Sequence, residues 1–80
     1  MKKTLKVPTL NNSDKAGVFV AWLKEEGDLV EVGEPIYEVE TDKVVRQVEA
    51  EEAGRLGEQL VEEGDEVTEG QEVATLDLEG

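Results

Sequence analysis

The stretch Glu40-Thr41-Asp42-Lys43-Val44 joins two apolar segments, residues 35–39 and 44–48, near the middle of the 80-residue chain. Apolar residues on both sides of a short polar stretch predict two strands joined by a tight hairpin turn. Tight hairpins favour Asn-Gly or Asp-Gly at their tips, whereas this one has Asp42-Lys43. A single lysine on a predicted hairpin tip, between two similar half-chains, indicates an attachment point.

The two halves of the chain repeat one another at a spacing of 37 residues. This shift places Gly17 on Gly54 and Gly33 on Gly70, and it places the turn sequence at 25–28 on the identical sequence at 62–65. Eight of the 27 aligned positions, 17–43 against 54–80, are identical. Because one unit alone would leave an apolar face exposed, we expect two similar sheets packed face to face about a pseudo-twofold axis.

The pattern along the chain predicts an all-β fold of two four-stranded antiparallel sheets. Predicted strands cover residues 2–7, 18–23, 29–30, 35–41 and 44–48, with Gly-Asp turns between them, and the second half repeats the scheme. We expect Phe19 and Trp22 in the core or half-buried. The predicted core packs Val18 and Val20, or the residues that alternate with them, against Leu56, Leu60, Val73 and Leu76.

Composition excludes most catalytic machinery. Residues 1–80 are predicted to form one small domain, and the chain contains neither cysteine nor histidine. The usual general base, the usual zinc ligands and most nucleophilic triads are therefore missing, and we expect no catalytic residue and no metal site. The net charge of −13 repels phosphate and anionic lipid, which argues against nucleic acid and membrane partners.

The stretch Glu40-Thr41-Asp42-Lys43 resembles the lipoyl-lysine motif of the lipoyl domains of 2-oxo acid dehydrogenase complexes, within the biotinyl/lipoyl attachment family. The resemblance extends over residues 3–78. The four-residue motif is short, and it becomes specific in combination with the repeat and the glycine spacing. The other matching positions are Trp22-Leu23, Glu26-Gly27-Asp28, Val30, Gly33, Ile36, Gly54, residues 63–67, Gly70 and Leu76.

The resemblance implies a flattened β-barrel (a barrel-sandwich hybrid) that carries lipoate as an amide on Lys43. Glu40, Thr41, Asp42 and Val44 would form the hairpin motif around it. The implied partners are a thiamine-diphosphate-dependent 2-oxo acid decarboxylase, an acyltransferase catalytic core, dihydrolipoamide dehydrogenase, and a lipoate ligase or lipoyltransferase. Residues 1–80 would then be a domain excised from a larger chain, a dihydrolipoamide acyltransferase of the bacterial cytoplasm or the mitochondrial matrix.

The loop after the first predicted strand departs from the family pattern. In the family this loop lies beside the lysine hairpin and helps the decarboxylase choose its domain, and it usually has a Gly-Glu-Gly-like sequence. Here it reads Asn11-Asn12-Ser13-Asp14, which we take as the candidate partner-recognition residues. Arg46 and the segment 49–51 also differ from the family pattern, so the 2-oxo acid stays open.

Three other classes of protein share this architecture. A biotinyl carrier normally has its lysine between methionines, whereas Asp42 and Val44 flank Lys43 and the one methionine is Met1. The hydrogen-carrier protein of glycine cleavage is longer and has helical additions. A structural module, as in efflux adaptors, would carry no modification. The mass of the intact chain separates these possibilities.

Overall fold

The computed structural model describes residues 1–8, 16–41 and 44–78, and within them the chain forms eight strands and two sheets. The β8 sheet has the order β1-β8-β6-β3 and the β4 sheet has the order β5-β4-β2-β7, with antiparallel neighbours throughout. This confirms the predicted all-β fold. The strands are β1 (Lys2–Lys6), β2 (Ala16–Trp22), β3 (Leu29–Val30), β4 (Pro35–Thr41), β5 (Val44–Glu49), β6 (Gly54–Gln59), β7 (Glu66–Thr68) and β8 (Glu72–Leu78).

A pseudo-twofold relates the sheets by exchanging β1 with β5, β2 with β6, β3 with β7 and β4 with β8. Hydrogen bonds between the halves occur in matched pairs. The Gly27 amide donates to the Leu56 carbonyl at 2.7 Å, and the Gly64 amide donates to the Phe19 carbonyl at 2.8 Å. Each half thus docks its turn on the central strand of the other, which explains why one half alone would be incomplete.

The duplicated Gly-Asp turns have the same geometry in both halves. Gly27 has a φ of 95° and Gly64 a φ of 92°, a left-handed conformation in which a side chain is strained. One residue later, the carboxylate of Asp28 accepts a hydrogen bond from the Glu25 amide at 2.9 Å, and Asp65 repeats this bond at 2.8 Å. The two turn sequences are therefore identical for a structural reason: each turn needs a glycine in the left-handed conformation and an aspartate that accepts the backbone hydrogen bond.

The core lies between the sheets, and it corrects one part of the predicted packing. Phe19, which alternates with Val18 and Val20, is fully buried, while Val18 is 44% exposed. Leu60 is 45% exposed, so its predicted place in the core is wrong. The register of β6 against β8 shifts between Leu56 and Gln59, which breaks the simple alternation from Leu56. The buried apolar residues are Val7, Phe19, Val30, Ile36, Tyr37, Val39, Ala50, Leu56, Val61, Val67, Val73, Ala74 and Leu76.

An aromatic cluster of Phe19, Trp22 and Tyr37 fills one part of this core. The Tyr37 ring lies 5.4 Å from Phe19 and 5.5 Å from Trp22, centroid to centroid. Trp22 is half-buried, as predicted, and its indole N–H donates to the Val61 carbonyl at 3.0 Å. The Tyr37 hydroxyl is buried without a hydrogen-bond partner among the described residues, and burial raises the pKa of Tyr37 to about 12.

Tyr37→Phe should reduce the sensitivity of the fold to alkaline pH. The folded-state pKa of Tyr37 lies above its unfolded value of about 10, so the contribution of Tyr37 to stability is complete below pH ~10 and is lost towards pH ~12. Two pKa units correspond to at most ~2.7 kcal/mol. At pH 7 we expect the variant to be as stable as wild type or slightly more stable, because it buries no unpaired hydroxyl.

Urea unfolding of both proteins at pH 8 and pH 11.5 measures this difference. The chain has a single tyrosine, so phenolate absorbance reports Tyr37 alone. A folded wild-type chain in which this tyrosine ionises near pH 10 would contradict the prediction.

No helix within the described ranges is long and apolar enough to cross a membrane.

Candidate functional site

The predicted hairpin is framed by β4 and β5, which pair from Pro35 opposite Glu49 to Thr41 opposite Val44, with a register shift between Pro35 and Tyr37. Asp42 and Lys43 stand between these strands in the sequence and lie outside the described residues. The candidate recognition residues Asn11, Asn12, Ser13 and Asp14 also lie outside them. Of the predicted site, the structure therefore places Glu40, Thr41 and Val44, and it brings these three together at the end of one antiparallel pair.

Glu40 and Thr41 differ in burial because successive side chains of a strand alternate between faces. Thr41 is 4% exposed and faces the interior with Val39, whereas Glu40 is exposed on the outer face. Val44, opposite Thr41, is 52% exposed. Thr41 thus anchors the end of β4 in the core, while Glu40 faces outward, where another protein has access to it. Val44 lies on the same face as Thr41 but is half exposed at the end of the edge strand β5.

Gly17 permits the close approach of β2 to the end of β4. A Cβ atom on Gly17 would lie 2.8 Å from Cγ2 of Thr41 and 2.9 Å from the carbonyl oxygen of Glu40. Gly54 does the same in the other half, where a Cβ would lie 2.6 Å from the carbonyl oxygen of Asp77. The sequence alone marks Gly17 and Gly54 as a repeated pair, but it does not show that Gly17 allows β2 to approach β4 or that Gly54 allows β6 to approach β8.

The pseudo-twofold partner of the Thr41–Val44 pair is formed by Leu78 and Met1. The Leu78 amide donates to the Met1 carbonyl at 2.6 Å. At this symmetry-related position the two strands come from opposite ends of the described chain, whereas Asp42 and Lys43 join Thr41 to Val44 in the sequence. The 37-residue shift aligns Lys43 with Gly80, so the repeat contains no second lysine at this place.

Two of the other lysines are held in ion pairs. Lys24 Nζ lies 2.6 Å from a Glu34 carboxylate oxygen, and Lys3 pairs with Glu52. Hydrogen bonds to these carboxylates raise the pKa of both lysines above the usual value. An amine attacks an acyl group only in its neutral form, so a raised pKa makes Lys3 and Lys24 poorer sites of acylation.

A family model and curated relatives match this chain. The family model Biotin_lipoyl, described as "Biotin-requiring enzyme", matches residues 3–76. The dihydrolipoyllysine-residue succinyltransferase component of the 2-oxoglutarate dehydrogenase complex of Staphylococcus saprophyticus is 50% identical over 72 residues, and the same component of Bacillus subtilis is 46% identical over 72. Each alignment covers 90% of this chain but 17% of the relative, so the chain spans about a sixth of these curated relatives.

A solved structure of similar length also resembles this chain. The lipoyl domain of the 2-oxoglutarate dehydrogenase complex from Azotobacter vinelandii is 38% identical and superposes with a TM-score of 0.78. The match covers 96% of this chain and 98% of that one. The two chains therefore share one fold over nearly all of their lengths.

Proposed function

Because the chain belongs to the Biotin_lipoyl family, we propose that it is a lipoyl carrier domain with lipoate joined to Lys43. The observation that carries the proposal is the pairing of Thr41 with Val44, which leaves Asp42 and Lys43 as the whole connection between two paired strands. The identity with lipoyl-bearing relatives supports the choice of cofactor. In this proposal the domain by itself carries and presents the group, and catalysis belongs to its partner enzymes.

The described residues fit such an attachment. An amide to a lysine needs an accessible amine and a rigid mount, and it needs no pocket. Thr41 lies in the core against Gly17, while Glu40 on the outer face and Val44 at the end of β5 are both exposed. The amide forms when the Lys43 nitrogen attacks an activated lipoyl carboxyl group, which loses its activating group while the amine loses a proton.

Bound lipoate supplies a dithiolane that accepts an acyl group and two electrons and is later reoxidised. The chain itself holds this group on Lys43 and presents it to the partner enzymes. We propose as partners a thiamine-diphosphate-dependent 2-oxo acid decarboxylase, the acyltransferase core, dihydrolipoamide dehydrogenase, and a lipoate ligase or lipoyltransferase. Tethering raises the effective concentration of the carried group at each active site. The parent chain is then a dihydrolipoamide acyltransferase of the bacterial cytoplasm or the mitochondrial matrix.

The residues that flank the lysine favour lipoate over biotin. A biotinyl carrier normally has methionine on both sides of its lysine, and this chain has Asp42 and Val44. The relatives with the higher identities described above are named for dihydrolipoyllysine. Both belong to 2-oxoglutarate complexes, so 2-oxoglutarate is the first substrate to test.

Loading of the apo chain with cofactor tests this function. Lipoate ligase with lipoate and ATP should raise the intact mass by one lipoyl group and no more, while biotin ligase with biotin and ATP should leave the mass unchanged. The lipoylated chain should then be reductively acylated by a 2-oxoglutarate decarboxylase or, failing that, by a pyruvate decarboxylase of the same class. Biotinylation at a rate similar to lipoylation, or the absence of lipoylation, would contradict the proposal.

A further inference from the structure

The outer face of the β4 sheet has a row of alternating apolar and acidic side chains beside the proposed attachment site. Val45 on β5 pairs with Glu40 on β4, Glu40 pairs with Val18 on β2, and Val18 pairs with Glu66 on β7. All four are exposed, Val45 by 50% and Val18 by 44%. We name these four residues the valine–glutamate row.

The equivalent row on the β8 sheet has a different chemical character. Its members are Lys2, Asp77, Arg55 and Leu29, each the pseudo-twofold partner of one residue of the valine–glutamate row, and they pair across that sheet in the same order. There an acid lies between two cations, an arrangement in which neighbouring strands attract each other. The same backbone framework therefore supports a charge-compensated row on one face and an uncompensated row on the other.

The fold itself does not explain why the valine–glutamate row lacks cations opposite its acids. Val18 and Val45 occupy the positions at which the other sheet has Arg55 and Lys2, so valine is not required there by the architecture. Among the described residues, the ion pairs include neither Glu40 nor Glu66. Glu38, on the same face, has a long contact of 3.4 Å with the Gln47 amide and adds a third acid. Exposed apolar groups between unpaired carboxylates are suited to contact with another protein surface.

The position of the row suggests which partner it fits. Glu40 lies on the strand that leads into Asp42 and Lys43, and Val45 lies on the strand that leaves them. An enzyme that acylates Lys43 must choose it among six lysines and must approach this end of the β4–β5 pair.

We propose that the valine–glutamate row is the docking face for the enzyme that loads the cofactor onto Lys43. The partner surface has an apolar contact over Val18 and Val45, and it has lysine or arginine groups opposite Glu40 and Glu66. This inference rests on the proposed function. The net charge of −13 accelerates encounter with such a basic surface.

Val18→Arg tests the docking face, and Leu29→Arg is its matched control. Both substitutions replace an exposed apolar strand residue by arginine and change the net charge by the same amount, but Leu29 lies on the other sheet and is 55% exposed. With lipoate ligase as the partner, we expect Val18→Arg to raise the KM for the apo chain about tenfold, because a cation then faces the basic surface of the ligase. We expect kcat within about threefold of wild type, and Leu29→Arg within about twofold in both constants.

Glu40→Gln is a second test variant, which removes the negative charge and keeps the size of the side chain. It should lower kcat/KM and weaken its dependence on salt, because one screened attraction is removed. Circular dichroism and thermal melting verify that each variant is folded. Equal KM values for Val18→Arg, Leu29→Arg and wild type would overturn the docking face, while a wild-type chain that gains no lipoyl group would instead overturn the proposed function.

Discussion

Lys43→Gln should fold as the wild-type chain does and should accept no lipoyl group. An exposed lysine, as the sequence predicts Lys43 to be, contributes at most a surface ion pair of about 0–1 kcal/mol, and ~1 kcal/mol shifts the melting temperature of a domain this small by roughly 4–8 °C. The carboxamide of glutamine is not a nucleophile, so lipoylation should stop completely. Glutamine also matches the charge of the modified lysine, because the amide of lipoyl-lysine is neutral.

Lys24→Gln is the matched control for this experiment. It makes the same chemical change at a lysine that pairs with Glu34, and it should be lipoylated at the wild-type rate. Intact mass after incubation with lipoate ligase, followed by peptide mapping, identifies the modified residue. If Lys43→Gln still gains the lipoyl mass, the attachment site is one of the other five lysines and the proposed site is wrong.

Gly17→Ala should destabilise the fold by about 2–3 kcal/mol, as expected for overpacking at a tight contact. A Gly→Ala change at a permissive position stabilises a protein by ~0.4–1 kcal/mol. Here the new methyl group would lie 2.8 Å from methyl groups of both Thr41 and Val39 and 2.9 Å from a backbone oxygen. Because these atoms belong to the end of β4, we also expect slower lipoylation at temperatures where the variant is folded.

Gly54→Ala separates the loss of stability from the slower lipoylation. A Cβ there meets the Asp77 carbonyl oxygen at 2.6 Å, so this variant should lose a similar amount of stability. Gly54 and Asp77 lie in the β8 sheet, and the folded variant should therefore be lipoylated at the wild-type rate. Urea unfolding gives the stabilities and intact mass gives the rates. A Gly17→Ala chain as stable as wild type would show that β2 and β4 can separate without cost.

The sequence by itself determined the class of fold, the repeat and the candidate lysine. The Gly-Asp turns at 25–28 and 62–65 and the strand Pro35–Thr41 were predicted where the structure has them, because turns and alternation depend on residues close together in the chain. Lys43 was identified from its neighbours in sequence and from its place between two similar halves. The role of Asn11, Asn12, Ser13 and Asp14 in partner recognition remains a prediction of the same kind.

Only the tertiary structure decided which strands pair and which side chains face outward. The short strands β3 and β7 pair with the opposite half of the chain, and a register shift in β6 puts Leu60 at the surface. The need for glycine at position 17 and the valine–glutamate row appear only when strands distant in sequence lie side by side. The physical reason is that register, close approach and surface rows arise from hydrogen bonds and packing between residues far apart in the chain, which local patterns do not specify.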